Sequence, residues 1–424
     1  MAPQSSVVIV SYRPGTWLAP CLASALSQAD EVIVVDNGSD DATASAIARR
    51  AGAAVARSPR NLGFAAGVNL GLRRARGDVV GLLNDDAVAG PTWMARARTV
   101  LADPAVAAVT PKVLLAGLYA EVVLDDEAWF SPGDVRPLGR MLRSVTVDGT
   151  EVLDKVVGAG VHDVEDGTLD GRSTTWRWTA GPLPFYVPVT GGADGAGDGI
   201  EVNGAPVGVR TCCRVLNHAG NYLERHGIAG DFGFGAPDDG RFDAPAERFG
   251  FSGTAPVFRA ETLARVGPLA GPFFAYNEDT DWCLRARLAG LRILYDPGAE
   301  VRHHLSATSG GAASAHVRFL AQRNALLCLV RNAPAEVVRG FVWRRMRQGP
   351  GSGVRRALVV RLPWALASRL RLRRRWTVDP RQVWDRWAGA DTTWDTAPAR
   401  TRTASSGGGD GAGHQVDETG PGAR

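Results

Sequence analysis

No stretch of this 424-residue chain approaches the roughly 18 continuous apolar residues that a spanning helix requires, so a membrane-embedded fold is not expected. Nor does any N-terminal stretch combine a basic flank, an apolar run and a small-residue cleavage site, because the short run from Ser6 soon meets Arg13-Pro14. The expectation is a soluble or peripheral protein. Cysteine is sparse: Cys21, Cys212, Cys213, Cys283 and Cys328 are five in number, scattered and without a CxxC pair. That pattern supports neither a disulfide framework nor a zinc site and points to a reducing cytosol. A strong overall charge is missing too, the net value being +4, but the signs are segregated. Arginines concentrate between Arg339 and Arg386, and acids between Asp125 and Asp243. Such asymmetry suggests an anionic partner for the C-terminal region.

What the chain does have is a βα rhythm. Apolar runs at 7–10, 31–35, 53–56 and 79–83 read as buried strands, and amphipathic stretches at 18–26, 43–51 and 65–76 read as helices between them. This is the pattern of a parallel sheet covered on both faces. Ligands of open α/β sheets bind beyond the carboxyl ends of the strands, where Asp36 and Asn84-Asp85-Asp86 fall. From about Gly117 to Phe249 the rhythm fails, and short alternating stretches such as 173–178 and 185–189 suggest a β-rich insertion with long loops. The α/β pattern resumes at Gly253, with a helix at 281–289 and a strand at 292–295. Residues 317–387 look helical and basic, and the tail that begins with the Ser/Gly tract at 405–409 is expected to be disordered.

Two groups of residues carry the chemistry. Asp85 and Asp86 follow a strand directly, as suits a hard cation that takes carboxylate and phosphate oxygens; a turn or helix cap accounts for the same residues equally well. Glu278, Asp279 and Asp281 stand between the aromatic run Phe273-Phe274-Ala275-Tyr276 and a helix. Capping and the helix dipole explain acids there, but not the aromatic wall before them. A carboxylate beside apolar rings suits a general base. Downstream, His303-His304 supplies imidazole that can complete a metal site with Asp86.

The stretches VVIVSYRP, EVIVVDNGSDD, RNLGFAAGVNLG and GDVVGLLNDD, followed by GPLAGPFFAYNEDTDWCLRARLAGLRILYDPGAEVRHH, resemble the inverting glycosyltransferase family two, over about Ser6 to His304 apart from most of the insertion. The resemblance implies an α/β fold of the GT-A type, here a nucleotide-sugar-binding domain with a β-rich insertion and a C-terminal helical basic extension. It also implies roles. Asp36 would contact the nucleobase or ribose, Asn61, Gly63 and Asn69 would shape the nucleotide pocket, and Asp85 would face the ribose or sugar. Asp86 and His303 would bind Mn²⁺ or Mg²⁺, with His304 an alternative ligand, and Asp279 would be the base, with Glu278 its replacement candidate. Asn84 stands where many relatives have Asp. The nearest subset contains bacterial rhamnosyltransferases and galactofuranosyltransferases of envelope assembly, which implies a dTDP-rhamnose or UDP-galactofuranose donor and a lipid-linked or glycan acceptor.

The expected organisation is a nucleotide-sugar half at 1–116, the insertion at 117–249, an acceptor-side half at 250–316, the basic helical extension at 317–390 and the tail at 391–424. Leucines and tryptophans among the arginines of the extension suggest docking on an anionic membrane surface, at the inner face of the cell membrane. Trp343, Trp364 and Trp376 would equally stack on bases, yet no nucleic-acid partner is expected. Rival readings are a nucleotidyltransferase, which also needs a nucleotide pocket and a carboxylate-bound metal, and a catalytically inactive carbohydrate- or lipid-binding relative.

Overall fold

The apolar runs at the start of the chain form a twisted parallel sheet in the computed structural model, which describes residues 4–131, 136–169, 172–189, 199–304, 315–347 and 352–389. The tail expected to be disordered, 391–424, lies outside the described residues. Strands β1 (Ser5–Ser11), β2 (Glu31–Asn37), β3 (Ala54–Ser58) and β4 (Val79–Asn84) pair in parallel in the spatial order β3-β2-β1-β4. Helices α1 (Leu18–Leu26), α2 (Thr43–Arg50) and α3 (Phe64–Leu72) connect them. In α1 the buried Leu18, Cys21, Leu22 and Ala25 recur at helical spacing, which fixes the face turned to the sheet. Helix α3 ends earlier than its sequence pattern predicts, because Arg74 N–H closes a tighter turn on the Gly71 carbonyl (2.8 Å).

The chain reverses direction across the sheet between β2 and β4, so the carboxyl ends of β1 and β4 form the crevice where an open α/β sheet takes its ligand. Beyond β4 the sheet continues through Val257–Arg259, antiparallel to both neighbours, then β6 (Val106–Leu115), Arg292–His303 and the edge pair Ala246–Glu247. A short strand β5 (Ala87–Ala89) and helix α4 (Trp93–Val100) link β4 to β6. The strand expected at 292–295 instead runs on to His303. It passes the bend at Pro297 by a register shift between Asp296 and Glu300, and its far half pairs with β5. That continuation carries His303 to the site.

The described residues between 118 and 213 form small antiparallel sheets around a separate apolar core that includes Phe185, Val187 and Ile200. From Leu216 onward the chain rejoins the main sheet, since Leu216–His218 pairs with β6. The C-terminal helices α7 (Ala315–Asn332), α8 (Ala335–Arg347), α9 (Ser352–Leu372) and α10 (Pro380–Trp387) follow α5 (Ala260–Val266) and α6 (Glu278–Leu288). They share one core with the segment from Gly250 to Leu291: Leu327, Leu329, Ala365 and Trp384 belong to the same buried cluster as Phe251, Phe258 and Trp282. No described helix is long and apolar enough to cross a membrane.

Candidate active site

The three residues Ser252 to Thr254 join the two acidic motifs. Gly253 N–H donates to Asp279 Oδ2 (3.2 Å), and the Thr254 carbonyl accepts from Asn84 N–H (2.9 Å), one residue before Asp85. Consecutive Cα atoms lie about 3.8 Å apart, so motifs almost 200 positions apart in sequence are held on one short segment.

On the β4 side, β5 places Ala87 opposite His303, and His304 N–H donates to the Asp86 carbonyl (2.9 Å). His303 Nε2 lies 3.0 Å from Asp86 Oδ1, and its Nδ1 lies 2.8 Å from Asn217 Oδ1. The Asn217 amide oxygen and the Asp86 carboxylate both accept; with the imidazole proton on Nδ1 toward Asn217, the Nε2 lone pair faces Asp86. Nε2 and the carboxylate then both offer lone pairs to a positive centre beside them, a proton or a divalent cation. Their 3.0 Å separation matches adjacent ligands of an octahedral ion with bonds of about 2.1 Å. The donor set therefore fits Mn²⁺ or Mg²⁺, with Asn217 orienting the imidazole from behind. His304, by contrast, stacks on Trp17 at a centroid distance of 3.3 Å, which commits its ring to another contact. Among the described residues no group of three or more His, Cys, Asp and Glu side chains gathers as a cation cage. Two protein ligands are what a site completed by diphosphate oxygens needs. Burial pushes Asp85 up to about 6, against the lowering influence of Ser11 and with help from the Asp86 charge.

Residues 6–117 match the family described as Glycosyl transferase family 2. The family 2 segment thus contains β1 through β6 and the Asp85-Asp86 pair, while Asp279 and His303 lie outside it. No curated protein sequence matches the chain. Among solved structures, GalNAc-T7 with UDP, GalNAc and Mn²⁺ is similar at 14% identity and a TM-score of 0.48 over 84% of this chain. This chain spans about half, 54%, of the length of that one. The mannosyltransferase PcManGT from Pyrobaculum calidifontis, in complex with GDP-Man and Mn²⁺, is similar at 16% identity and a TM-score of 0.41, covering 88% of this chain and 74% of that one. TarS 1-349 of S. aureus is similar at 13% identity and 0.38, with 82% and 74% covered. At such scores none of the chemistry below rests on them. The fold is the expected GT-A-like α/β sheet, with added small β-sheets and C-terminal helices.

In the loop before α6, Phe274, Tyr276 and Asn277 all adopt positive φ, between 64° and 71°. Non-glycine residues in this region are strained, and something must hold them there. Asn324 on α7 does so: its buried amide donates toward the carbonyls of Phe273, Ala275 and Tyr276 at 2.8–2.9 Å. Asp279 lies in the first turn of α6 beside this loop and accepts from the Gly253 and Thr280 N–H groups. Burial raises its carboxyl above the ordinary range, and those donors partly offset the rise. Glu278 is pushed up much further, by burial and then by the Asp279 charge, and its Oε2 is buried without a partner. Burial and mutual repulsion favour one retained proton between the two carboxyls. Asp281 has a different task. It is fully buried against Arg285 (2.9 Å), Arg331 (2.7 Å) and Asn332 (2.7 Å), tying α6 to α7.

Four of the residues assigned by resemblance to the nucleotide pocket are engaged with the protein itself. Asp36 is fully buried; it accepts from Ser39 N–H (3.1 Å) and from the hydroxyls of Ser39 and Ser45, with Arg57 3.5 Å away. Burial raises its carboxyl, but the Ser39 and Ser45 bonds outweigh that and hold it low. Asn69 bonds the backbone of Leu269 in both directions, donating to its carbonyl (2.8 Å) and accepting from its N–H (3.0 Å). Asn61 accepts from Gly63 N–H (2.8 Å) and from the Asn37 amide (3.2 Å). A Cβ on Gly63 would fall 2.5 Å from the Phe274 carbonyl, and one on Gly71 would fall 2.2 Å from Val8. The tight approach at these two glycines is to the loop around Phe274 and to the sheet.

Sequence reasoning missed Asn217, Asn324 and Asp231. Asp231 lies in a hairpin formed by Asn221–Leu223 and Ala229–Asp231, and burial, with the charge of Asp279 nearby, raises it to about 7. Nothing local marks any of the three, because their partners lie 48 to 86 positions away.

Proposed function

We propose that this chain is an inverting, metal-dependent glycosyltransferase that moves a sugar from a nucleotide-sugar donor to an acceptor hydroxyl. The observation that supports this most is the Ser252–Thr254 segment, which bonds both acidic motifs and so holds the strand that leads to the Asp86–His303 carboxylate–imidazole pair close to a second carboxylate, Asp279. Asp86 and His303 would hold Mn²⁺ or Mg²⁺, which when bound supplies a Lewis acid for the donor diphosphate. Asp85 faces the donor ribose or sugar. Asp279, raised by burial toward the working pH, takes the proton of the acceptor hydroxyl as that oxygen attacks the anomeric carbon. The new C–O bond forms as the bond to the diphosphate breaks, and one displacement inverts the centre. Glu278 keeps its own proton and leaves the negative charge on Asp279. Asp36, Asn61, Gly63 and Asn69 shape the pocket by fixing the loops that surround it.

A dTDP-rhamnose donor, or UDP-galactofuranose in its place, and a lipid-linked or glycan acceptor at the inner membrane face complete the proposal; they rest on the resemblance to envelope enzymes. The test is a panel of nucleotide sugars incubated with the purified full chain in Mn²⁺, Mg²⁺ or excess chelator. Release of nucleoside diphosphate from one donor, abolished by chelator, supports the reading. Turnover of no sugar nucleotide, or full activity in chelator, contradicts it.

A further inference from the structure

Helix α9 packs on α7 through Val354, Ala365 and Ser368, and its opposite face is apolar and uncovered. Val359, Leu362, Leu366 and Leu370 recur at intervals of three and four along that face and are 73%, 36%, 51% and 66% exposed. A helix whose only task is to seal a core does not keep such a row. Beside it, Arg323 of α7 and Arg356 and Arg361 of α9 line an open cleft of about 350 Å³ whose remaining walls are Ala357 and Val360. Among the described residues no carboxylate lines this cleft. Arg331 and Arg369 are occupied inside the fold, on Asp281 and on the Val330 and Ala333 carbonyls, whereas Arg356 and Arg361 form no ion pair among the described residues. Burial, and then the charge of Arg361, lowers Arg323, so its guanidinium is already held against a like charge. Arg323 also donates to the Phe273 carbonyl (2.7 Å), which puts the cleft directly behind the acceptor loop.

We propose that the α7–α9 face docks on an anionic bilayer, with the arginine cleft taking a lipid phosphate and the apolar row of α9 entering the headgroup boundary. This deepens, and rests on, the reading above in which the acceptor belongs to the membrane. Guanidinium groups bind phosphate oxygens in pairs, and an interfacial helix combines buried apolar area with attraction to anionic lipid. Charge favours a membrane over a second copy of the chain. Residues 337–378 contain twelve arginines and no Asp or Glu, so a two-fold pairing through this face would set like charges together. Docking here presents the Phe273–Asn277 loop, and Asp279 behind it, toward the lipid surface.

The experiment is co-sedimentation of the full chain with phosphatidylglycerol or phosphatidylcholine vesicles at rising salt. It compares the parent with Arg356→Glu/Arg361→Glu and with Val359→Ser/Leu366→Ser/Leu370→Ser. Parent binding to phosphatidylglycerol that weakens with salt, and falls by about tenfold or more in each variant, is expected. Circular dichroism and Mn²⁺-supported UDP binding check that each variant is folded, and a variant that fails them is replaced by Leu366→Ser alone. Equal binding to both lipids, or undiminished binding by both variants, overturns the proposal. Thermal stabilisation by inorganic phosphate without vesicle binding overturns it in favour of a soluble phosphate ligand. A parent dimer that dissociates on the serine substitutions overturns it in favour of a second copy. Vesicle binding without sugar transfer upholds the surface and counts against the enzyme reading, and transfer without vesicle binding does the reverse.

Discussion

Removing the charge of Asp231 tests whether the acidic cluster around Asp279 is as tightly coupled as its geometry indicates. Its carboxyl is raised from the ordinary 3.8 to about 7, by burial and then by Asp279. A carboxyl raised in the folded state stabilises the fold fully at pH values below its unfolded pKa, and that contribution is lost as pH rises through the folded pKa. Between pH 4 and 8 the ionisation of Asp231 therefore costs stability. At 1.36 kcal/mol per pKa unit the upper bound is about 4 kcal/mol, and partial exposure reduces it to roughly 2 kcal/mol. Asp231→Asn keeps the shape and cannot ionise. Its Tm at pH 8 should exceed that of the parent by about 4 °C, with the gap closing toward pH 4. Because Asp231 still holds its proton while Asp279 ionises, the acid limb of the pH–rate profile should stay in place. Calorimetric scans at four pH values and a transfer profile measure both. A Tm difference that does not vary with pH, or an acid limb that moves, would refute this order of ionisation.

Two further substitutions probe residues that act through others. Asn217→Ala should raise the Mn²⁺ concentration for half-maximal activity by about 10- to 100-fold, because His303 loses the acceptor that sets its tautomer, whereas Asn217→Asp should stay within a few-fold; an unchanged metal requirement in the alanine variant removes Asn217 from the site. Gly63→Ala should cost roughly 2–4 kcal/mol in urea unfolding, since φ is +80° and the new Cβ meets the Phe274 carbonyl at 2.5 Å; a loss below about 0.5 kcal/mol would show that the acceptor loop does not lie where Gly63 meets it.

The runs that became β1, β2 and β4 were legible because a strand buried on both faces has to be continuously apolar, and each stops at the polar residues that face the crevice. Asp85, Asp86 and Glu278-Asp279 stood out for the same reason: polar residues placed directly against apolar neighbours. Asp36 stood at an equally suggestive strand end, yet its carboxylate is spent on Ser39 and Ser45, three and nine residues ahead. A local turn with serines in reach was the available signal, and the strand-end rule overrode it. Asn69 carried no such hint, since its partner Leu269 is 200 residues away. The β-rich character of 118–213 was visible from alternation, but the return of Leu216–His218 to the main sheet was not, because a three-residue strand carries too little periodicity. In the basic region the apolar residues of α9 were readable. Which of them face outward was decided by the packing of α7, through Ala365 and Ser368.

The central claim is that one crevice contains a metal-binding pair, Asp86 and His303, and a separate base, Asp279. Mn²⁺-supported binding of UDP and of dTDP to the parent, Asp86→Ala and Asp279→Asn, measured by isothermal titration calorimetry, tests it most directly. The account predicts that Asp279→Asn binds the preferred nucleotide within about threefold of the parent although it no longer transfers sugar, while Asp86→Ala binds at least about tenfold more weakly. Parent-like binding by Asp86→Ala, or an equal loss in both variants, would contradict the division of the site into a metal pair and a base.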